Sequence, residues 1–174
     1  MIQSTLFDLE KKAAEAGYLL RIQVRRPLNL WSFKVVVAET LEADKVKILG
    51  EMKGWAYYSK TGLQLDTMRV LQGAPSGVGH LIWAATMAWA LEMTPCKKAR
   101  LLAIFDDDSQ HSRLTNYFSK RKFHLVREVR SSLFDLPLRL IWGGAGSLML
   151  GDCAEVFKYS FNLLESTRLL SDTN

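Results

Sequence analysis

Cysteine and histidine are scarce in this chain of 174 residues, and neither is clustered. Cys96 and Cys153 give neither a disulfide framework nor a metal pattern, which suits the cytoplasm or another reducing compartment. His80, His111 and His124 stand singly, without ligand spacing, so no metal is expected and each reads as a surface or loop residue. Leu81 to Leu91 is almost wholly apolar but far short of the roughly 20 residues that span a bilayer. Met1-Ile2-Gln3-Ser4 lacks the basic-then-apolar pattern of a signal peptide. Repeats, low-complexity tracts and linkers are missing too. The expectation is a soluble protein with one domain over residues 1–174.

What the chain does have is apolar content, 48%, enough for a proper core. Its net charge of +5 favours acidic partners, whether phosphates, nucleic acid or an anionic surface, without choosing among them.

The most informative stretch is Leu63 to Glu92. It alternates as a strand to about Leu71, passes through Gly73-Ala74-Pro75-Ser76-Gly77-Val78-Gly79, and continues as a helix until Thr94-Pro95. A strand that enters a glycine loop and leaves as a helix makes an anion site, because the first helical amides lack internal partners and the helix dipole adds positive charge. Two phosphate loops are excluded by spacing. A P-loop would need Gly and Lys at Val78 and Gly79, and the dinucleotide fingerprint would need glycine at Ile82. A small-residue cluster between strand and helix is also, more simply, a turn.

Elsewhere the patterns predict a short helix capped by Ser4 and ended by Gly17, then strands over Tyr18 to Arg25, Trp31 to Thr40 and Lys45 to Ser59, with Gly50 and Gly54 as bulges or bends. After the central helix, Ala99 to Phe105 is a strand buried on both faces. Asp106 to Ser109 reads as strand end and helix cap, not as a cation loop. A helix over Gln110 to Lys120, a strand over Phe123 to Val129, a last strand over Leu138 to Trp142, a glycine turn over Gly143 to Gly146 and a helix over Asp152 to Leu170 complete the chain. The order predicts an α/β fold with a mixed sheet and helices on both faces.

Gly77-Val78-Gly79 at a helix start, between two strands, resembles the pyrophosphate loop of the GNAT acyltransferase superfamily, which holds coenzyme A on backbone amides. The later helix ends in Asn116-Tyr117-Phe118-Ser119-Lys120-Arg121-Lys122-Phe123, similar to that family's Phe-Tyr-Glu-Lys-x-Gly-Phe run at Lys120, Phe123 and the aromatic pair. The resemblance covers about Trp31 to Val129. It implies a GNAT-like, mostly antiparallel mixed sheet with a core over about residues 18–142 and an added C-terminal helix over about 150–170. It also implies acetyl-CoA or another acyl-CoA as cofactor, held by Leu71, Ser76, Gly77, Val78, Gly79, His80 and Phe118.

The departures bear on chemistry. Ala74 stands where the family starts its loop with Arg or Gln, and Pro75 has no amide to donate. Phe118 replaces the tyrosine that protonates the leaving thiolate; Tyr117 is adjacent but points about 100° away. The family's glycine before the last Phe is Lys122, and Asp107 or Asp108 stands at its Asn. Acyl transfer needs a deprotonated amine and a polarised carbonyl, for which strands splayed after Val70 supply an amide. Asp66 or Glu51 then serves as base, directly or through water, although either also fits a solvated strand carboxylate. Two functions follow: coenzyme A-dependent N-acyl transfer, and a catalytically silent binding or assembly factor on the same fold.

The central helix has no polar face, so it is covered by the C-terminal helix or by a protein partner at Trp83 and Trp89. The C-terminal segment is a further partner surface. Lys120, Arg121, Lys122, Arg127 and Arg130 form a basic run that reads as a solvated edge or a steering site for a cofactor phosphate. Nucleic acid ranks behind these readings.

Overall fold

The computed structural model describes residues 5–104, 108–129, 145–167 and 169. Helix α1 (Leu6–Glu15) begins at Thr5, whose hydroxyl accepts from the Asp8 amide while Asp8 accepts from the Thr5 amide. Such a capping box is worth about 1 kcal/mol. It places the cap one residue later than expected. Strands β1 (Tyr18–Arg25), β2 (Trp31–Thr40), β3 (Val46–Ala56) and β4 (Leu63–Val70) then form an antiparallel meander. Helix α2 (Val78–Met93) crosses to β5 (Lys98–Ile104), which runs parallel to β4. Helix α3 (Asp108–Lys120), β6 (Phe123–Val129), β7 (Gly146–Asp152) and α4 (Cys153–Ser166) follow. The seven strands lie in the order β1-β2-β3-β4-β5-β7-β6, all antiparallel except β4 against β5. The fold is α/β with a mostly antiparallel sheet.

Alternation along the strands decides the layers. Phe33, Val35, Val37 and Met52 point to one face, where the Phe33 ring meets Trp89 of α2 at 4.8 Å and the Thr86 hydroxyl touches the Met52 sulfur. Leu9 and Ala13 of α1, Val156 and Leu164 of α4 and the Phe118 ring of α3 join the same cluster. Among the described residues the four α-helices therefore share one face, and the expected second layer of helices is not found. On the other face Leu102, Val129 and Leu148 make a small buried cluster of their own.

Trp83 and Trp89 are buried within this one chain, under α4, so these two rings are not exposed to a partner. A helix apolar all round needs cover on every side, and sheet, α1 and α4 provide it. The last strand is Gly146–Asp152, of which sequence reading puts Gly146 in a glycine turn and Asp152 at a helix start and assigns no element to the residues between. Asp152 caps α4 by accepting from the amides of Ala154 and Glu155. The readings at Ser4, 105–107, Arg130, Leu138 to Trp142, Gly143, Gly144 and Leu170 fall outside the described residues. No helix among those described is long and apolar enough to cross a membrane.

Candidate functional site

Strands β4 and β5 pair only through Leu63↔Ala99 and Gln64↔Arg100, then part. The parting begins at Gln64, well before the expected Val70. Its local cause is a bulge: Lys53 pairs Thr67 but Gly54 pairs Leu65, so Asp66 is the extra residue on β4. A bulge adds twist and bends its strand, here away from β5. The opening holds a hollow of about 60 Å³, lined by Met52, Leu65, Asp66, Thr67, Met68, Trp83, Leu101, Leu102 and Phe118.

The glycine loop sits at the far end of β4. The Leu71 amide donates to Leu49, extending the pairing, and Ala74 donates back to Leu71 in a turn through Gly73. Gly77 is the N-cap of α2, left-handed at φ +102°, with no side-chain cap bond. Val78 donates to the Pro75 carbonyl at 3.3 Å, and Leu81 makes the first helical bond to Gly77 at 2.8 Å. The amides of Gly79 and His80 thus have no intrahelical partner.

The two glycines differ in kind. A Cβ on Gly77 would meet the Thr167 hydroxyl at 2.6 Å and Leu169 at 3.0 Å, so the fold itself requires glycine there. At Gly79 a Cβ would find only ordinary contacts, 3.6 Å to Met68 and 3.8 Å to Val70. Packing does not demand that glycine.

Arg121 lies beside this helix start. It is 4% exposed, and its guanidinium covers the Tyr117 ring at 4.5 Å and the Trp83 ring at 5.5 Å. One terminal nitrogen donates to His80 Nδ1 at 3.0 Å and the other reaches the Ser160 hydroxyl at 3.5 Å, while Nε has no partner. No carboxylate pairs with it among the described residues. The solvated basic edge expected here is therefore broken at Arg121, although Lys120 and Lys122 are exposed. Because arginine only donates, His80 Nδ1 accepts and the imidazole is neutral. Burial, and then the Arg121 charge, hold the His80 pKa below its ordinary value. A buried cation without a counter-ion beside two free helical amides is a strongly electropositive spot.

Of the proposed chemical groups, Asp66 borders the opening and is exposed. Glu51 lies on the outer face of β3 with its carboxylate held by Lys34 at 2.8 Å and Lys53 at 3.5 Å. The Lys34 hydrogen bond, chiefly, keeps its pKa below the usual carboxylate range, which weakens it as a base. The Tyr117 hydroxyl accepts the Trp83 indole N–H at 3.0 Å and keeps its own proton to donate, and the Phe118 ring turns into the opening. Leu71 and Ser76 are exposed, and Val78 is buried in the core. Lys122 has φ +71°, the left-handed backbone that glycine adopts without strain. Cys96 and Cys153 are buried free thiols, and burial pushes Cys153 up to about 12, which disfavours its thiolate. No group of three or more His, Cys, Asp or Glu among the described residues is arranged to hold a metal.

Trp83 and Arg121 are the residues that sequence reading missed in these roles. Arg121 follows Tyr117 by four positions, the spacing that puts two side chains on one helical face, and that was the available signal. No known protein-family model matches the chain, and no curated protein matches it.

Proposed function

We propose that this protein is a divergent GNAT-like acyltransferase that binds acyl-CoA with its phosphates on the amides of Gly79 and His80. The observation that carries the reading is the buried Arg121, without a carboxylate partner among the described residues, beside that helix start. Phosphates supply the counter-charge that the site lacks. The parted strands β4 and β5 lead from the loop to Asp66, giving the thioester arm a course between them.

In the reaction the acceptor nitrogen attacks the thioester carbonyl carbon. The C–N bond forms, the C–S bond breaks, and the coenzyme A thiolate leaves. The nitrogen proton passes to Asp66, directly or through water, because an amine attached to the tetrahedral centre is far more acidic than a free ammonium. Thiolate is a good leaving group, so Phe118 does not stop the reaction.

A second reading, a catalytically silent binding factor on the same fold, rests on the narrowness of the opening. Its 60 Å³ is small beside ligand pockets of about 300 Å³ or more. Trp83 and Phe118 must move for a cofactor arm to enter.

The melting midpoint with and without acetyl-CoA separates the two readings. Ligand at a hundred times its dissociation constant adds about 2.7 kcal/mol, a rise of several degrees. Acyltransfer predicts that rise with acetyl-CoA, and less with dephospho-CoA or ATP. An unchanged midpoint at millimolar ligand contradicts it.

A further inference from the structure

The outer face of β1 to β4, opposite α2, carries no described helix. Side chains there come from the alternate positions that do not enter the core, and they are unusually ordered in charge. Across neighbouring strands stand Arg25 on β1, Lys34 on β2, Lys53 on β3 and Asp66 on β4. They surround a hollow of about 260 Å³, far roomier than the one at the β4/β5 opening. Glu51 engages Lys34 and Lys53 together, leaving one positive charge over, and Arg25 has no acidic partner among the described residues. Ser32 adds a hydroxyl to the wall, and the Trp55 indole, fixed by its N–H to Gln64 at 3.1 Å, adds a flat apolar side.

Asp66 lines both hollows. Strands lie about 4.8 Å apart, so β1, which carries Arg25, and β4, which carries Asp66, are roughly 14 Å apart along the sheet. Positive at one end and negative at the other, the hollow complements a short zwitterion. An anionic group on Arg25 and Lys34 would place an amine at the other end of the same molecule against Asp66.

We propose that this hollow binds a small zwitterion, an amine separated by several bonds from a carboxylate or phosphate, and that this molecule is the acyl acceptor. The acceptor role rests on the acyltransfer reading; the binding does not.

The test has two readouts on the full chain. In the first, thiol release from acetyl-CoA is followed with two matched pairs: 6-aminohexanoate against hexylamine, and glucosamine 6-phosphate against glucosamine. The proposal predicts kcat/KM at least about tenfold higher for the charged member of one pair, and the pair identifies the anion as carboxylate or phosphate. Arg25→Gln brings that ratio towards one. Equal kcat/KM within both pairs overturns the proposal. In the second, tryptophan fluorescence is titrated with the same two zwitterions without acyl-CoA, using Trp55→Phe to assign the signal. Saturable binding weakened by Arg25→Gln, in a protein that releases no thiol with any amine, upholds the zwitterion site and sinks the acyltransfer reading alone. No saturable change with either zwitterion, or one indifferent to Arg25→Gln, overturns the site.

Discussion

The two ends of α2 are built on opposite principles. At the C-terminal end side chains close the helix: the Thr94 hydroxyl donates to the Ala90 carbonyl at 2.6 Å and accepts from the Cys96 amide at 3.1 Å. Glu92 there accepts from the Leu6 amide of α1 at 2.8 Å. At the N-terminal end the cap is a bare glycine, two amides lack helical partners, and a buried guanidinium has no carboxylate among the described residues. The first end shows what a helix terminus needs for stability alone. The second departs from it in ways that cost stability, and such departures mark functional sites.

Substitutions at the two ends sharpen that contrast. Gly77→Ala has the largest effect: left-handed strain of about 1–3 kcal/mol joins a clash with Thr167 and Leu169, so chemical denaturation shows the greatest loss of stability. Thr94→Val comes next. It strips a buried hydroxyl from two hydrogen bonds and lowers stability by about 1–3 kcal/mol, without affecting any acyl-CoA response.

The smallest effect is pH-dependent. Folded His80 binds a proton less readily than unfolded histidine, so its contribution is complete above the ordinary histidine pKa of about 6.5 and declines as pH falls below it. The midpoint of the wild type therefore drops between about pH 7 and about pH 5, and His80→Gln makes that drop shallower. Glu51 contributes in a separate, more acidic window, because Lys34 lowers its pKa below that of an ordinary carboxylate.

The contrast also explains what could be read in the sequence. The meander β1 to β4 and the long helix were legible because period-two and apolar patterns persist there and glycine or proline bounds them. The register was not. One bulge residue, Asp66, decides where β4 leaves β5, and no periodic pattern predicts it. Strand β7 was missed because Gly146–Asp152 follows a glycine cluster and is largely buried, so it shows no alternation of apolar and polar residues. Element order likewise does not say which face a helix takes; the helices meet on one face through Trp83, Tyr117 and Ser160. Arg121 was hidden by its neighbours, since a Lys-Arg-Lys run looks solvated until its middle residue is found under two aromatic rings.

On the acyl-CoA reading, Gly79 is there for a ligand and not for the fold. That claim is tested most directly by calorimetric titration of acetyl-CoA into the wild type and Gly79→Ala side by side. The alanine has room, and a helical position where it gains up to about 1 kcal/mol over glycine, so the variant melts at or above the wild-type midpoint. Its Cβ points towards Met68 and Val70 at the end of β4, where on the proposed reading the phosphates would approach the amides. Phosphate binding at these amides predicts saturable heat from the wild type and affinity at least about tenfold weaker in the stable variant. Equal binding by both proteins, or none by the wild type, would contradict it.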